Sequence, residues 1–224
     1  MNYQNANKEL RYDYIVIEGN IGTGKTSLAT KIAEDFNTKL ILERFADNPF
    51  LPLFYQEPKR YAFPLELSFL ADRYQQLNDE LKPVELFKQK TVADYVLSKS
   101  LIFAANTLKE DEYKLYQRLF HIMHPSLPKP DLLVYLHKNV SNLQKNIAHR
   151  GRSYEQNITD EYLLQLDQGY WNFFKQNPGL RILVIDTDEV DFIANPNHFH
   201  KIVSLINHMY APGIHRKFVK NADF

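Results

Sequence analysis

The chain has no cysteine among its 224 residues. Disulfides, thiolate metal sites and cysteine nucleophiles are excluded together. The absence fits a reducing, cytoplasmic setting. An excess of charge is missing too, since 27 Lys and Arg balance 27 Asp and Glu. Binders of nucleic-acid polymers carry a basic excess or patch, so no such polymer is the expected partner. No apolar run approaches the ~20 residues of a membrane span, and no membrane association is expected. The opening MNYQNANKELRYDYIVIEG holds no apolar core of a signal peptide. Glycine is scarce as well, at 7 residues.

What is present is an alternation. DYIVIE (13–18), KLILE (39–43), TVAD (91–94), DLLVYL (131–136) and RILVID (181–186) are short runs rich in Ile, Leu and Val. Such runs suit strands buried on both faces. Helix-like stretches lie between them, over 25–36, 64–81, 98–108, 111–121, 140–150, 159–175 and 198–208. The order predicts a three-layer α/β fold, a five-stranded parallel sheet flanked by helices with right-handed crossovers. One domain over 1–224 is expected, with no repeat or linker.

Three of the scarce glycines fall within eight residues, Gly19-Asn20-Ile21-Gly22-Thr23-Gly24-Lys25-Thr26. This is G-x-x-x-x-G-K-[ST], after a strand and before an amphipathic helix. A loop wrapped on phosphate must turn backbone N–H groups inward, and glycine allows that backbone. The helix that follows aims its positive dipole end at the anion. The loop from Asn20 through Ser27 is therefore the expected triphosphate cradle. Lys25 would reach the β- and γ-phosphates, and the Thr26 hydroxyl would help hold Mg²⁺. The motif does not name the phosphate acceptor, because motors, GTPases and small-molecule kinases share it.

Glu43 ends the second strand, where an α/β sheet opens its ligand crevice. A carboxylate there can take a proton from an attacking hydroxyl. Arg150-Gly151-Arg152 ends a helix, and guanidinium forks suit phosphate oxygens. A closing lid over about 149–158 would keep water from the transferred group.

EGNIGTGKT, LERFADNPFL and RGRSYEQNIT, in this order and spacing, resemble the deoxynucleoside kinases, from about Tyr14 to Phe192. The resemblance implies transfer of the γ-phosphate of ATP to the 5′-hydroxyl of a deoxynucleoside. FADNPFL is most similar to bacterial members with purine preferences. By the same resemblance, Glu43 is the general base, and Arg150 and Arg152 are the lid arginines. Tyr55 and Glu155 then contact the sugar 3′-hydroxyl, and Arg73 lies below the base. The loop after the last strand, with Asp191 and Phe192, cups the adenine of ATP. A homodimer through helices beside the sheet is implied as well.

Two departures stand out. Where the family carries Gln in F-x-x-Q, this chain has Phe63-Pro64-Leu65-Glu66. The family's acid-arginine pair at the end of strand 3 is also broken. One alignment puts Asp94 at the arginine and Lys99 at a later acid. A one-residue shift makes Asp94 the strand-end acid and Tyr95 the lost arginine. Either way Asp94 ends strand 3, where a carboxylate can help hold Mg²⁺. Ionised Glu66 only accepts hydrogen bonds. It favours a base edge bearing N–H, with Lys99 or Arg73 donating to the adjacent keto oxygen, and the combination leans towards deoxyguanosine. Phe45, Tyr61 and Phe63 are expected pocket walls. His121, His124, His198 and His200 read as ordinary histidines. A nucleoside monophosphate kinase, or a P-loop switch without a small acceptor, is the rival reading. Arg44 and Arg60 keep the former open.

Overall fold

The computed structural model describes residues 9–44, 48–81 and 89–220. Strand β1 (Tyr14–Gly19) is buried at every position. Its Ile15 and Ile17 pack on one face with Leu28, Ile32 and Ile202. Val16, between them, packs on the other with Ile41, Leu70 and Ala93. A run without alternation is stable only when covered from both sides.

The other strands are β2 (Lys39–Ile41), β3 (Thr91–Ala93), β4 (Leu132–His137), β5 (Arg181–Asp186) and β6 (Gly213–Phe218). They form one six-stranded sheet in the order β2-β3-β1-β4-β5-β6, and every pairing is parallel. The helices are α1 (Lys25–Phe36), α2 (Phe50–Gln56), α3 (Pro58–Glu80), α4 (Lys99–Thr107), α5 (Glu110–Met123), α6 (Val140–Arg150), α7 (Asp160–Gln176) and α8 (Pro196–Ile206).

The expected sheet of five strands is corrected to six. Strand β6 reads GIHRKF and is mostly exposed. An edge strand buries little, so it lacks the apolar run that marks the others. Asp191 and Phe192 therefore follow β5, not the last strand. Helix α3 starts at Pro58, six residues before its expected start, and carries Pro64 inside. Prolines read as breakers, yet Pro58 sits in the first turn, where no N–H is needed. The apolar pattern of FLPLFYQ does not mark helix α2, although the resemblance places Tyr55 on a helix, as found.

The chain leaves β1 towards β2 on one side, whereas β4 lies on its other side. The crevice beyond the carboxyl ends of β1, β3 and β4 is where such sheets hold ligands.

Candidate active site

The glycine-rich loop joins β1 to α1. Gly22 and Gly24 have φ of 85° and 89°, a left-handed backbone that disfavours side chains. Gly24 caps α1 with no side-chain cap, and the first turn holds no acidic residue. Its N–H groups are left to an anion. The loop is tied down from outside. Asn20 Nδ2 donates to the Leu163 carbonyl at 2.7 Å, and Asn146 Nδ2 donates to the Gly22 carbonyl at 2.7 Å. Lys25 Nζ donates to the Asn20 carbonyl at 2.9 Å. Thr26 and Ser27 are exposed.

A Cβ on Gly24 would lie 2.9 Å from the Phe192 ring. Gly24→Ala combines that clash with a left-handed backbone. It is expected to cost about 2 kcal/mol of stability and to weaken ATP binding. Denaturant titration and ATP calorimetry would read the two effects.

Opposite the loop, Glu43 is clamped between two cations. It accepts from Arg73 Nε at 2.8 Å and from Lys99 Nζ at 2.6 Å. A second Arg73 nitrogen closes the fork at 2.6 Å. Burial alone would raise the Glu43 carboxyl. Lys99 and Arg73 outweigh it and hold the group well below the usual carboxylate range. The Glu43 N–H donates to Asp94 Oδ1 at 2.7 Å, and the Thr26 hydroxyl donates to Asp94 Oδ2 at 2.6 Å. One hydrogen-bonded path thus joins the phosphate loop to the candidate base. The Thr26 and Asp94 oxygens suit a hard divalent cation, so the residues present fit Mg²⁺.

Asp94 lies just past β3. The next residue, Tyr95, is buried and donates to Gln76 Oε1 at 2.9 Å, away from the crevice. Both alignments put Asp94 at the end of strand 3, and it directly follows Ala93 there. Arg73 and Lys99 were expected near the base edge, but their charged groups sit on Glu43. The remaining Arg73 nitrogen donates to Ser100 Oγ at 2.8 Å.

A cavity of about 140 Å³ opens beside Glu43. Glu43, Tyr55, Glu66, Phe69 and Phe103 line it, together with Arg150, Arg152 and Glu155 from the segment expected to form a lid. Tyr55 stacks on Tyr154 with ring centroids 5.7 Å apart. Burial, then Glu155, pushes its hydroxyl up to about 12, so it stays protonated. Tyr61 and Phe63 do not line this cavity, and Phe45 lies outside the described residues. Phe54, Phe69, Phe103 and Tyr154 supply the rings instead.

Glu155 is buried and binds both arginines of the expected lid, Arg150 through Nε at 3.0 Å and NH2, and Arg152 through NH1 at 3.2 Å. Asp191 accepts from the Ile193 and Ala194 N–H groups at 2.9 Å each, within its own turn. The buried Phe192 ring backs Gly24. These two residues shape the loop beside the phosphate cradle. A larger cavity of about 320 Å³ holds none of the site residues expected from sequence.

Sequence reasoning missed Glu18. It is fully buried in β1 and accepts from Tyr170 OH at 2.8 Å and the Val96 N–H at 3.0 Å. Burial raises its carboxyl against the pull of Lys99 and Lys25. An acid inside an all-apolar strand was the available signal.

A sequence profile described as deoxynucleoside kinase matches residues 15–211. The chain is 36% identical over 200 residues to a deoxyguanosine kinase of Bacillus subtilis, covering 88% of this chain and 97% of that one. It is 31% identical over 202 residues to a deoxyadenosine kinase of Lactobacillus acidophilus, covering 86% and 94%. The structure of deoxyadenosine kinase from M. mycoides with bound dATP aligns with a TM-score of 0.73. It covers 87% of this chain and 99% of that one at 24% identity, a likeness of fold. With a profile match over nearly the whole sheet and a phosphate loop facing a clamped carboxylate, the chain belongs to the deoxynucleoside kinase family.

Proposed function

We propose that this kinase moves the γ-phosphoryl group of ATP to the 5′-hydroxyl of a purine deoxynucleoside, in nucleotide salvage. The observation that carries the reading is Glu43, fixed beside a ring-lined cavity and joined through Asp94 and Thr26 to the phosphate loop. The purine assignment is supported by relatives named deoxyguanosine and deoxyadenosine kinase.

The loop N–H groups, α1 and Lys25 hold the polyphosphate. Thr26 and Asp94 would hold Mg²⁺, which neutralises charge on the β- and γ-phosphate oxygens when bound. Tyr55 orients the sugar, and Glu155 joins it when the lid arginines exchange the carboxylate for phosphate. The 5′-oxygen attacks phosphorus, the bond to the β-phosphate oxygen breaks, and Glu43 accepts the hydroxyl proton. A low-pKa carboxylate is a weak base, but it is always ionised. In a loose transition state the proton leaves late, so positioning matters more than basicity. Lys25, Arg150 and Arg152 stabilise the charge on the transferred group.

The monophosphate-kinase reading needs free cations at the acceptor. Arg44 is 72% exposed at 3.8 Å from Glu80, and Arg60 is 69% exposed at 3.6 Å from Glu57. Neither lines the cavity.

The test is ADP release with a panel of nucleosides and monophosphates. Purine deoxynucleosides should stimulate it most. Stimulation by monophosphates alone, or triphosphate turnover indifferent to any acceptor, would sink the reading. A cytoplasmic homodimer is part of the same proposal, and light scattering should give twice the 26.4 kDa chain mass. None of the described helices is long and apolar enough to cross a membrane.

A further inference from the structure

The ring-lined cavity holds one acidic group outside the phosphoryl-transfer path and the lid. Glu66 projects from α3, is 3% exposed, and lines the wall. Its Oε1 accepts from the Thr107 hydroxyl at 2.9 Å. Its Oε2 is buried with no hydrogen-bond partner among the described residues. A buried, unpartnered carboxylate oxygen is costly, and one on a side chain that lines a cavity points to a ligand donor.

The nearby cations do not meet that need. Arg73 directs its nitrogens to Glu43 and Ser100, and Lys99 binds Glu43. An incoming base must therefore bring the donors. Oε2 and the second lone pair of Oε1 can accept two parallel bonds. Guanine presents N1–H beside its 2-amino group, two donors side by side. Thymine presents N3–H between two keto oxygens, which face a carboxylate lone pair to lone pair. Adenine N1 and cytosine N3 are acceptors and repel it. Hypoxanthine has N1–H but no 2-amino group.

We propose that Glu66 selects guanine by accepting paired hydrogen bonds from N1–H and the 2-amino group. This rests on the cavity being the nucleoside site. It goes further by making the exocyclic amine a recognised atom.

The protonation state gives a second handle. Burial pushes the Glu66 carboxyl up to about 7, against the pull of Arg73. Thr107 and Lys99 from α4 favour the ionised form, while Glu43 beyond β2 opposes it. Tyr55, Tyr116 and Tyr162 from α2, α5 and α7 also face it, all with raised values and therefore neutral. Above about pH 7 the ionised group accepts twice and suits guanine. Below it, the protonated group both donates and accepts, which suits adenine.

The experiment compares kcat/KM for deoxyguanosine, deoxyinosine and deoxyadenosine between pH 6 and 8. At pH 8 the wild type should prefer deoxyguanosine to deoxyinosine by at least about tenfold, one buried hydrogen bond's worth. The deoxyguanosine to deoxyadenosine ratio should rise with pH through about 7. In Glu66→Gln the amide oxygen takes N1–H and the amide nitrogen serves O6. The 2-amino group is then no longer read. The preference over deoxyinosine should approach one, and the pH dependence of the ratio should vanish. The wild-type comparison needs no variant, so a poorly folding Glu66→Gln cannot rescue the idea. Strong kinase activity with deoxyinosine equal to deoxyguanosine, or a flat wild-type ratio, overturns it and leaves the kinase reading intact. No nucleoside-dependent ADP release overturns both.

Discussion

Glu43→Gln is expected to lower kcat about a thousandfold, within the range for a lost general base, with KM for the nucleoside changed far less. The amide keeps the shape of the carboxylate but cannot take the hydroxyl proton. It also leaves Arg73 and Lys99, at 5% and 7% side-chain exposure, facing a neutral group. Removing one member of a buried ionic cluster costs about 3 kcal/mol. Urea unfolding should show that loss at pH 7. The sign with pH follows from the depressed carboxyl. Its contribution is present above the ordinary glutamate value of about 4 and is lost as pH falls through the lower folded value. The stability gap between wild type and variant should therefore be full at neutral pH and close in acid. A variant with unchanged kcat would remove Glu43 from the chemistry. One as stable as the wild type would show the clamp to be energetically neutral.

The phosphate loop was legible because its chemistry is local. Eight consecutive residues carry the turn, the cation and the hydroxyl, and the flanking period identifies strand and helix. Glu43 and Asp94 were legible as acids at the carboxyl ends of strands, although β2 stops at Ile41, two residues short of Glu43. Their pairings were not, because Arg73 lies 30 residues beyond Glu43, and its aim depends on how α3 seats against the sheet. The resemblance put Arg73 at the base, while here its fork closes on Glu43. Lys99 shows the same limit, since a lysine where the family has an acid becomes intelligible only once its ammonium is found on Glu43. Strand β6 escaped because an edge strand with His, Arg and Lys has no apolar signature. The pocket rings escaped for a geometric reason. Phe69 and Phe103 come from different helices, and only the fold brings them together.

Lys25→Met is expected to lower kcat/KM for ATP on the order of 10³-fold, the scale for losing one charge-stabilising donor. The loss should fall mainly on kcat, because the loop N–H groups and α1 still hold the polyphosphate. Its effect on the fold should be opposite to that of Glu43→Gln. Among the described residues, Lys25 Nζ has a single hydrogen bond, to the Asn20 carbonyl. Burial and the neighbouring Lys99 lower it to about 8, against the pull of Glu18, Glu43 and Asp94. The folded protein therefore carries this charge at a cost below pH 8, which methionine removes. The variant should melt no lower than the wild type at pH 7. Its advantage should shrink as pH rises from about 8 towards the ordinary lysine value of about 10. Two buried charges that meet in one crevice thus separate in the cold assay and in the melt. Glu43 is stabilised by two partners and stabilises them in return, whereas Lys25 waits for a phosphate. A large drop in melting temperature for Lys25→Met would mean the ammonium holds the loop together, and its assignment to the nucleotide would fall.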